Sequence, residues 1–234
     1  MLIGKKVKGA IAYMGGVFAL PEPFVWSWSQ MVEYNADYLV NPNDRIHYER
    51  ATASYHSFAR NTLVQKMQGD WLLMLDTDHV FDPDIAVRML DRMDKWNIDV
   101  LVGMYQYKTP PHSPVLYLKK GNAFEMLGKW DKKADVIEVG SAGAGCLLVK
   151  KTVFERIKNE LKQEPFDILP PFSEDHSFFK RLHKLKIPAY CDPTIECHHL
   201  MMKKISLEDY KENEQLFSKK RKPIYGFNRE GGVS

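Results

Sequence analysis

Apolar residues along this chain fall into short runs, separated by stretches in which they recur every third or fourth position. The clearest run, Trp71-Leu-Leu-Met-Leu75, ends abruptly in Asp76-Thr-Asp78 and reads as a buried strand delivering carboxylates to a sheet edge. Ahead of it, residues 7–14 form a compact apolar stretch stopped by Gly15-Gly16, which predicts a first strand and a tight turn. Pro21-Glu-Pro23 then punctuates the chain, and the aromatic-rich residues 24–34 predict a helix with Pro23 near its start. Residues 37–40 read as a second strand and Asn41-Pro-Asn-Asp44 as a turn. Residues 51–68 carry Ala59, Leu63 and Met67 at a spacing of four and predict a helix closed by Gly69. Strand, helix, strand, helix, strand is the layout of an α/β domain with a parallel sheet. In such sheets ligands gather beyond the carboxyl ends of the strands, where Gly15-Gly16 and Asp76-Thr-Asp78 both fall.

Further along, Ile85, Met89 and Met93 give residues 84–96 a helical period, and residues 98–103 read as another buried strand. Between 104 and 138 the texture changes. Pro110, Pro111 and Pro114, with the alternating Pro114-Val-Leu-Tyr-Leu118, predict irregular antiparallel additions to the sheet. Gly140-Ser-Ala-Gly-Ala-Gly145 runs into an apolar strand at 146–149, followed by a helix at 152–161. Ser173-Glu-Asp175 opens a helix whose Phe178, Leu182 and Leu185 share a face. Residues 189–199 look like a strand containing a turn at Asp192-Pro193. An amphipathic helix at 206–218 and the basic run Lys219-Lys-Arg-Lys222 close the chain. The expectation is one catalytic domain over 1–202 and a helix with a basic tail over 203–234.

The length suits one large domain, and 44% hydrophobic with 27% charged residues is ordinary for a globular protein. A net charge of +3 is too small to force a nucleic-acid reading. The three cysteines, Cys146, Cys191 and Cys197, form no C-x-x-C pair, and an odd number argues against a disulfide framework. A reducing, cytoplasmic setting is expected. No apolar run approaches the roughly 20 residues of a membrane helix, so a soluble protein is expected, with peripheral membrane contact left open.

Chemistry concentrates in three places. Asp76 and Asp78 flank one residue at a strand exit and can both reach a hard divalent cation, Mg²⁺ or Mn²⁺; the structural alternative is an acidic turn before a helix at Asp82-Pro83-Asp84. Glu174 and Asp175 lie in the first turn of a helix with Ser173 as N-cap, a placement the macrodipole favours without any catalysis. His198 and His199 end the last strand, where neighbours face opposite ways, so only one can turn toward a metal. An EF-hand is excluded, because Gly is missing at the sixth position and Val87 stands at the twelfth.

In combination, Ala59-Arg-Asn61, the D-x-D strand, Gly143-Ala-Gly145 before a strand, Glu174-Asp175 opening a helix and a late strand ending in His resemble the nucleotide-sugar glycosyltransferases of the GT-A fold. The pattern is most similar to family 2-type members and the short stand-alone versions carried by phages and bacteria, which would act in a host cytoplasm. It covers residues 7–201. The resemblance implies a Rossmann-like, mixed but mostly parallel sheet flanked by helices. It implies transfer of a sugar, from a UDP-linked donor by expectation, to a hydroxyl on a glycan, lipid, protein or modified DNA base. Asp76 would lie near the donor ribose or the metal, Thr77 would touch the donor, and Asp78 and His199 would hold Mn²⁺ or Mg²⁺, with His198 the rival ligand. Such a cation would neutralise the charge growing on the departing nucleoside diphosphate. Inverting members use the Asp of such a Glu-Asp pair as general base, which points to Asp175, with Glu174 binding a sugar hydroxyl. Arg60 would contact the base or diphosphate, or else be a surface arginine. Tyr13 would flank the nucleobase, although relatives often carry Pro-Thr or Pro-Ser where this chain has Ala12-Tyr13. Gly143 and Gly145 would let backbone approach the donor sugar or acceptor, or simply make a tight turn. Lys219-Lys-Arg-Lys222 would meet a polyanionic acceptor or stay solvated.

Two rivals remain. A haloacid-dehalogenase phosphohydrolase also follows an apolar strand with two Asp, but usually near its amino terminus and not before His79-Val80. A catalytically silent nucleotide- or nucleic-acid-binding module would use the same cleft.

Overall fold

The computed structural model describes residues 7–15, 19–38, 45–52, 55–131 and 134–201. The first half of the chain forms β1 (Lys8–Gly15), α1 (Glu22–Tyr38), β2 (Arg45–Thr52), α2 (His56–Lys66), β3 (Trp71–Asp76), β4 (His79–Phe81), α3 (Ile85–Lys95) and β5 (Val100–Met104). The second half adds β6 (Leu116–Lys120), β7 (Ala123–Met126), β8 (Ile137–Val139), β9 (Ser141–Ala142) and β10 (Cys146–Lys150). After these come α4 (Lys151–Leu161), α5 (Glu174–Lys184) and β11 (Ala189–His199).

One eight-stranded sheet has the order β2-β1-β3-β10-β5-β11-β4, with β8 also on β11. β2, β1, β3, β5 and β11 run the same way, and β10, β4 and β8 run against them. The result is a mixed sheet in which most strands share a direction. Its period of two sorts side chains onto two faces. Leu72 and Met74 join the core under α2, α4 and α5, where Leu63, Phe154 and Phe178 pack. Leu73 and Leu75 join the opposite core with Phe24 and Met31 of α1 and Ile85 and Met89 of α3. A sheet buried on both faces explains why residues 71–75 are apolar without interruption. Of the antiparallel additions to the sheet expected between 104 and 138, only β8 joins the main sheet, beside β11; β6 and β7 instead form a separate three-stranded sheet with β9.

Three further details differ from the sequence reading. Residues 37 and 38 belong to α1 rather than to a second strand; the strand is β2, an edge strand paired only with β1. The helix expected from residue 51 begins at His56, because Ala51 and Thr52 still pair with Met14 and Gly15. Asp192-Pro193 makes no chain-reversing turn. Instead β11 continues with a shift of register against β5 between Asp192 and Glu196, pairs once more with β5 at Met104, and then picks up β4. Pro193, which has no N–H to donate, sits within that shift. The expected turn at 41–44, the helix at 206–218 and the basic run 219–222 lie outside the described residues, as does all but the start of Gly15-Gly16.

Candidate active site

The carboxyl ends of β1, β3, β5 and β11, and the start of the antiparallel β10, meet at one edge of the sheet. Asp76 ends β3, and the turn after it is clamped from two sides. The Asp76 N–H donates to the Gly145 carbonyl (2.9 Å), and the Leu200 N–H donates to the Asp78 carbonyl (2.7 Å). β4 then pairs with the end of β11, with His79 opposite His199. Residues far apart in sequence are thereby fixed side by side.

Asp78, His79 and His199 form a cluster whose ligating atoms lie within 4.8 Å of one another. His79 is buried and its Nδ1 lies 3.2 Å from the Gly145 carbonyl; His199 Nδ1 lies 2.8 Å from the Gln106 carbonyl. A carbonyl oxygen only accepts, so each imidazole carries a proton on Nδ1, which leaves Nε2 as the nitrogen a metal could take. His79 Nε2 is buried without a partner, and His199 Nε2 lies 3.3 Å from Asp78 Oδ2. Burial lowers the pKa of His79, more than offsetting the pull of Asp76 and Asp78, which keeps the ring neutral. Burial also opposes ionisation of Asp78, but the hydrogen bond from Lys108 Nζ (2.6 Å) and the nearby imidazoles hold its carboxyl below the usual range. A carboxylate and two imidazoles oriented by backbone carbonyls fit a small divalent cation. Asp76 lies outside this group. His198 is exposed on the other side of the strand, as alternation requires.

Asp76 turns instead to Arg60. The Arg60 side chain is buried; its Nη2 donates to both Asp76 oxygens at 3.2 Å and its Nη1 to the Ala144 carbonyl at 3.0 Å. Its Nε faces Asp175 Oδ1 at 3.5 Å and Glu174 Oε1 at 3.8 Å. Arg60 is therefore no surface arginine, and its guanidinium is committed to three carboxylates. Burial would lower its pKa, but those carboxylates raise it above the ordinary value, so it stays charged. Asp175 is pushed up to about 6: burial is the main cause, Arg60 pulls it back, and Glu174 and Asp76 push it further. The start of α5 is fixed by Ser173, whose Oγ accepts from the His176 N–H (3.4 Å). Asn61, next to Arg60, anchors the segment before α5 through the Phe166 N–H (2.9 Å) and Asp167 (3.0 Å).

Neither Gly143 nor Gly145 has a positive φ, so a turn is not what demands glycine. A Cβ on Gly143 would lie 1.8 Å from the Tyr105 hydroxyl, and one on Gly145 would lie 2.4 Å from His79 Cε1. Both bare positions are filled by the protein's own rings. Tyr105 is buried against His79 (4.5 Å between ring centres), and its hydroxyl accepts from the Gly145 N–H (3.3 Å). Tyr13 is half-buried at the end of β1, edge-on to Trp28 and Phe24. Thr77 is half-buried between the two acids. His79, Tyr105 and Lys108 were missed in the sequence. Of these only His79 carried a signal there, an imidazole immediately after the D-x-D.

A mixed α/β sheet with an Arg-bound acid and a carboxylate–imidazole cluster at its carboxyl edge defines a GT-A-type fold. The Glycosyl transferase family 2 model matches residues 30–158, more than half of the chain, and the protein belongs to that family. The crystal structure of A197 from STIV is similar in fold, with a TM-score of 0.55 and 19% identity, covering 82% of this chain and 86% of that one. No curated protein matches the sequence. Membership gives the phosphohydrolase alternative no support. Among the described residues no helix is long and apolar enough to cross a membrane.

Proposed function

We propose that the protein transfers a sugar from a nucleotide-sugar donor, UDP-linked, to an acceptor hydroxyl with inversion at the anomeric carbon. The observation that carries this reading is the cluster of Asp78, His79 and His199, whose ligating atoms lie within 4.8 Å of one another, with both imidazoles held through Nδ1 by backbone carbonyls. Asp78, His79 and His199 would hold Mn²⁺ or Mg²⁺, which when bound supplies positive charge for the departing diphosphate. Lys108, already on Asp78, offers a second positive charge within reach. Asp175 takes the proton of the acceptor hydroxyl; a carboxylate whose pKa lies near 6 is a stronger base than an ordinary aspartate yet still ionised at neutral pH. Glu174 binds a sugar hydroxyl beside it. Arg60 positions Asp76 against the donor and keeps three carboxylates compatible within one small volume. Tyr13 and Thr77 flank the donor, and Gly143 and Gly145 keep Tyr105 and His79 in place beneath it.

The test incubates the protein with Mn²⁺ and a panel of nucleotide-sugars. Release of nucleoside diphosphate that chelator abolishes, and that His199→Ala and His79→Ala each reduce strongly, is the expected result. Turnover indifferent to chelator and to both substitutions, or phosphate release from a generic phosphoester in its place, overturns the reading.

A further inference from the structure

The helix that opens with Glu174 and Asp175 carries a second feature. His176, Lys180, His183 and Lys184 recur at i, i+4, i+7 and i+8, and so share one face of α5. That face borders two adjoining cavities of about 360 and 230 Å³, with Lys119 and His183 in the walls of both. Lys186 lines the first, Lys180 and Lys184 line the second, and Glu138 is the sole acid lining either. Among the described residues, Lys119, Lys180, Lys184 and Lys186 have no carboxylate partner. Lys180 is held ready rather than loose: its ammonium stands 4.7 Å from the Phe172 ring centre and 5.5 Å from that of Phe124, and donates to the Asn122 carbonyl. Burial lowers the pKa of His183, and the charges of Lys119 and Lys180 lower it further, as a region of positive potential should. At 1.5 Å rise per residue, Lys180 lies about 7 Å and Lys184 about 13 Å along the axis from Asp175. The cations thus begin more than a turn beyond the reacting end and, at about 100° per residue, on the far side of the helix from Asp175, so a chain that meets both passes over the first turn of α5.

Resting on the glycosyl-transfer reading above, we propose that the acceptor is an anionic glycan lying along α5 and the β6–β7 hairpin. Its terminal hydroxyl meets Asp175, and its negative groups meet Lys119, Lys180, Lys184 and Lys186. Single-stranded nucleic acid is the less suitable polyanion, because its binding grooves offer bare aromatic faces to successive bases. Here Phe124 is already stacked on His176 (5.2 Å between ring centres, 26° between planes), with Lys180 above it. Charge and hydroxyl recognition remain.

The experiment titrates the full chain with four probes: a phosphorylated mannan, polygalacturonate, neutral dextran and oligo-dT. Binding of at least one anionic glycan, ten times or more tighter than dextran, is expected, and it should weaken on raising the salt from about 50 to about 200 mM. Comparison of the phosphate and uronate arms tells which anion the groove takes. Replacing Lys119, Lys184 and Lys186 together by Gln should weaken that binding roughly tenfold or more, and Arg at the same positions should restore it. Should the triple variant fail to fold, Lys184→Gln alone, on an exposed helix face, is expected to lose a few-fold. Dextran or oligo-dT binding as tightly as the anionic glycans, no glycan binding, or variants indistinguishable from the parent would overturn the proposal. Donor hydrolysis by the parent protein without acceptor judges the glycosyl-transfer reading separately, since it needs no groove.

Discussion

The positions that matter most at this site are held by atoms that leave no room for substitution. A methyl group on Gly145 would press on His79 Cε1 at 2.4 Å and Asp76 Oδ2 at 3.1 Å, a buried ring on one side and an Arg-bound acid on the other. Gly145→Ala is accordingly expected to cost about 1–3 kcal/mol of stability through overpacking. It should also lower Mn²⁺ affinity, since His79 must move; calorimetric titration alongside denaturant unfolding reads both. Asp175 presents the opposite relation between stability and use. Its folded-state pKa of about 6 lies above the ordinary 3.8, so the folded protein holds that proton more tightly than the unfolded chain does. Stability from this group therefore falls as pH rises from about 4 to about 6, and the deficit, on the order of 1–3 kcal/mol, persists at neutral pH. In the proposed role as general base, activity would run the other way, because only the ionised carboxyl accepts a proton. Asp175→Asn should abolish transfer and raise the melting temperature at pH 7.5, and the parent's rate should climb through about pH 6 as the base ionises. A variant that is both inactive and less stable would contradict that account.

At the scale of elements, what the sequence made legible and what it hid follow from how each strand is supported. β3 was plain because a strand buried on both faces is apolar throughout, and its abrupt end in acid marks the exit. β2 was hidden because an edge strand with one partner carries Arg45, His47, Glu49 and Arg50 without penalty, whereas the nearby Tyr38-Leu-Val40 looked more strand-like. His79 was hidden for a different reason: its position depends on β4 pairing with the far end of the chain, and no local pattern encodes that. The pairing in turn depends on the register shift in β11. Buried Asp192 accepts from the Thr194 N–H (2.8 Å) and Oγ1 (2.7 Å) and from Arg92 Nε (2.5 Å). Asp192→Ala removes the acceptor of the Thr194 N–H and leaves Arg92 with Asp135 alone, so a loss of about 1–3 kcal/mol is expected in urea unfolding. Because the shift aims the last residues of β11 at β4, the same variant should bind Mn²⁺ more weakly although it touches no ligand. Unchanged metal affinity would separate the shift from the site.

Across the whole molecule, the site joins elements that otherwise meet only at their ends. Arg60 ties α2 to β3, to the loop before β10 and to α5, and the Asp78–His79–His199 cluster ties the β3–β4 turn to the last residues of β11. The first junction pairs its charges within the protein, with Arg60 Nε and Asp175 Oδ1 facing each other at 3.5 Å. The second leaves His79 Nε2 buried without a partner, in a ring that lies beside an acid and another imidazole. A cation bound there would answer all three groups in the folded state only, so it must stabilise the fold by mass action. At a free concentration one hundred times its dissociation constant the gain is about 2.7 kcal/mol. For a domain of this size each kcal/mol moves the midpoint by about 2–4 °C. Mn²⁺ is therefore expected to raise the melting temperature by roughly 5–10 °C, a rise that chelator reverses and that His79→Ala, which removes the buried lone pair, largely eliminates. Mn²⁺ shifting the His79→Ala protein as far as the parent would mean that the ion binds elsewhere, and that this buried imidazole is held for packing against Tyr105 alone.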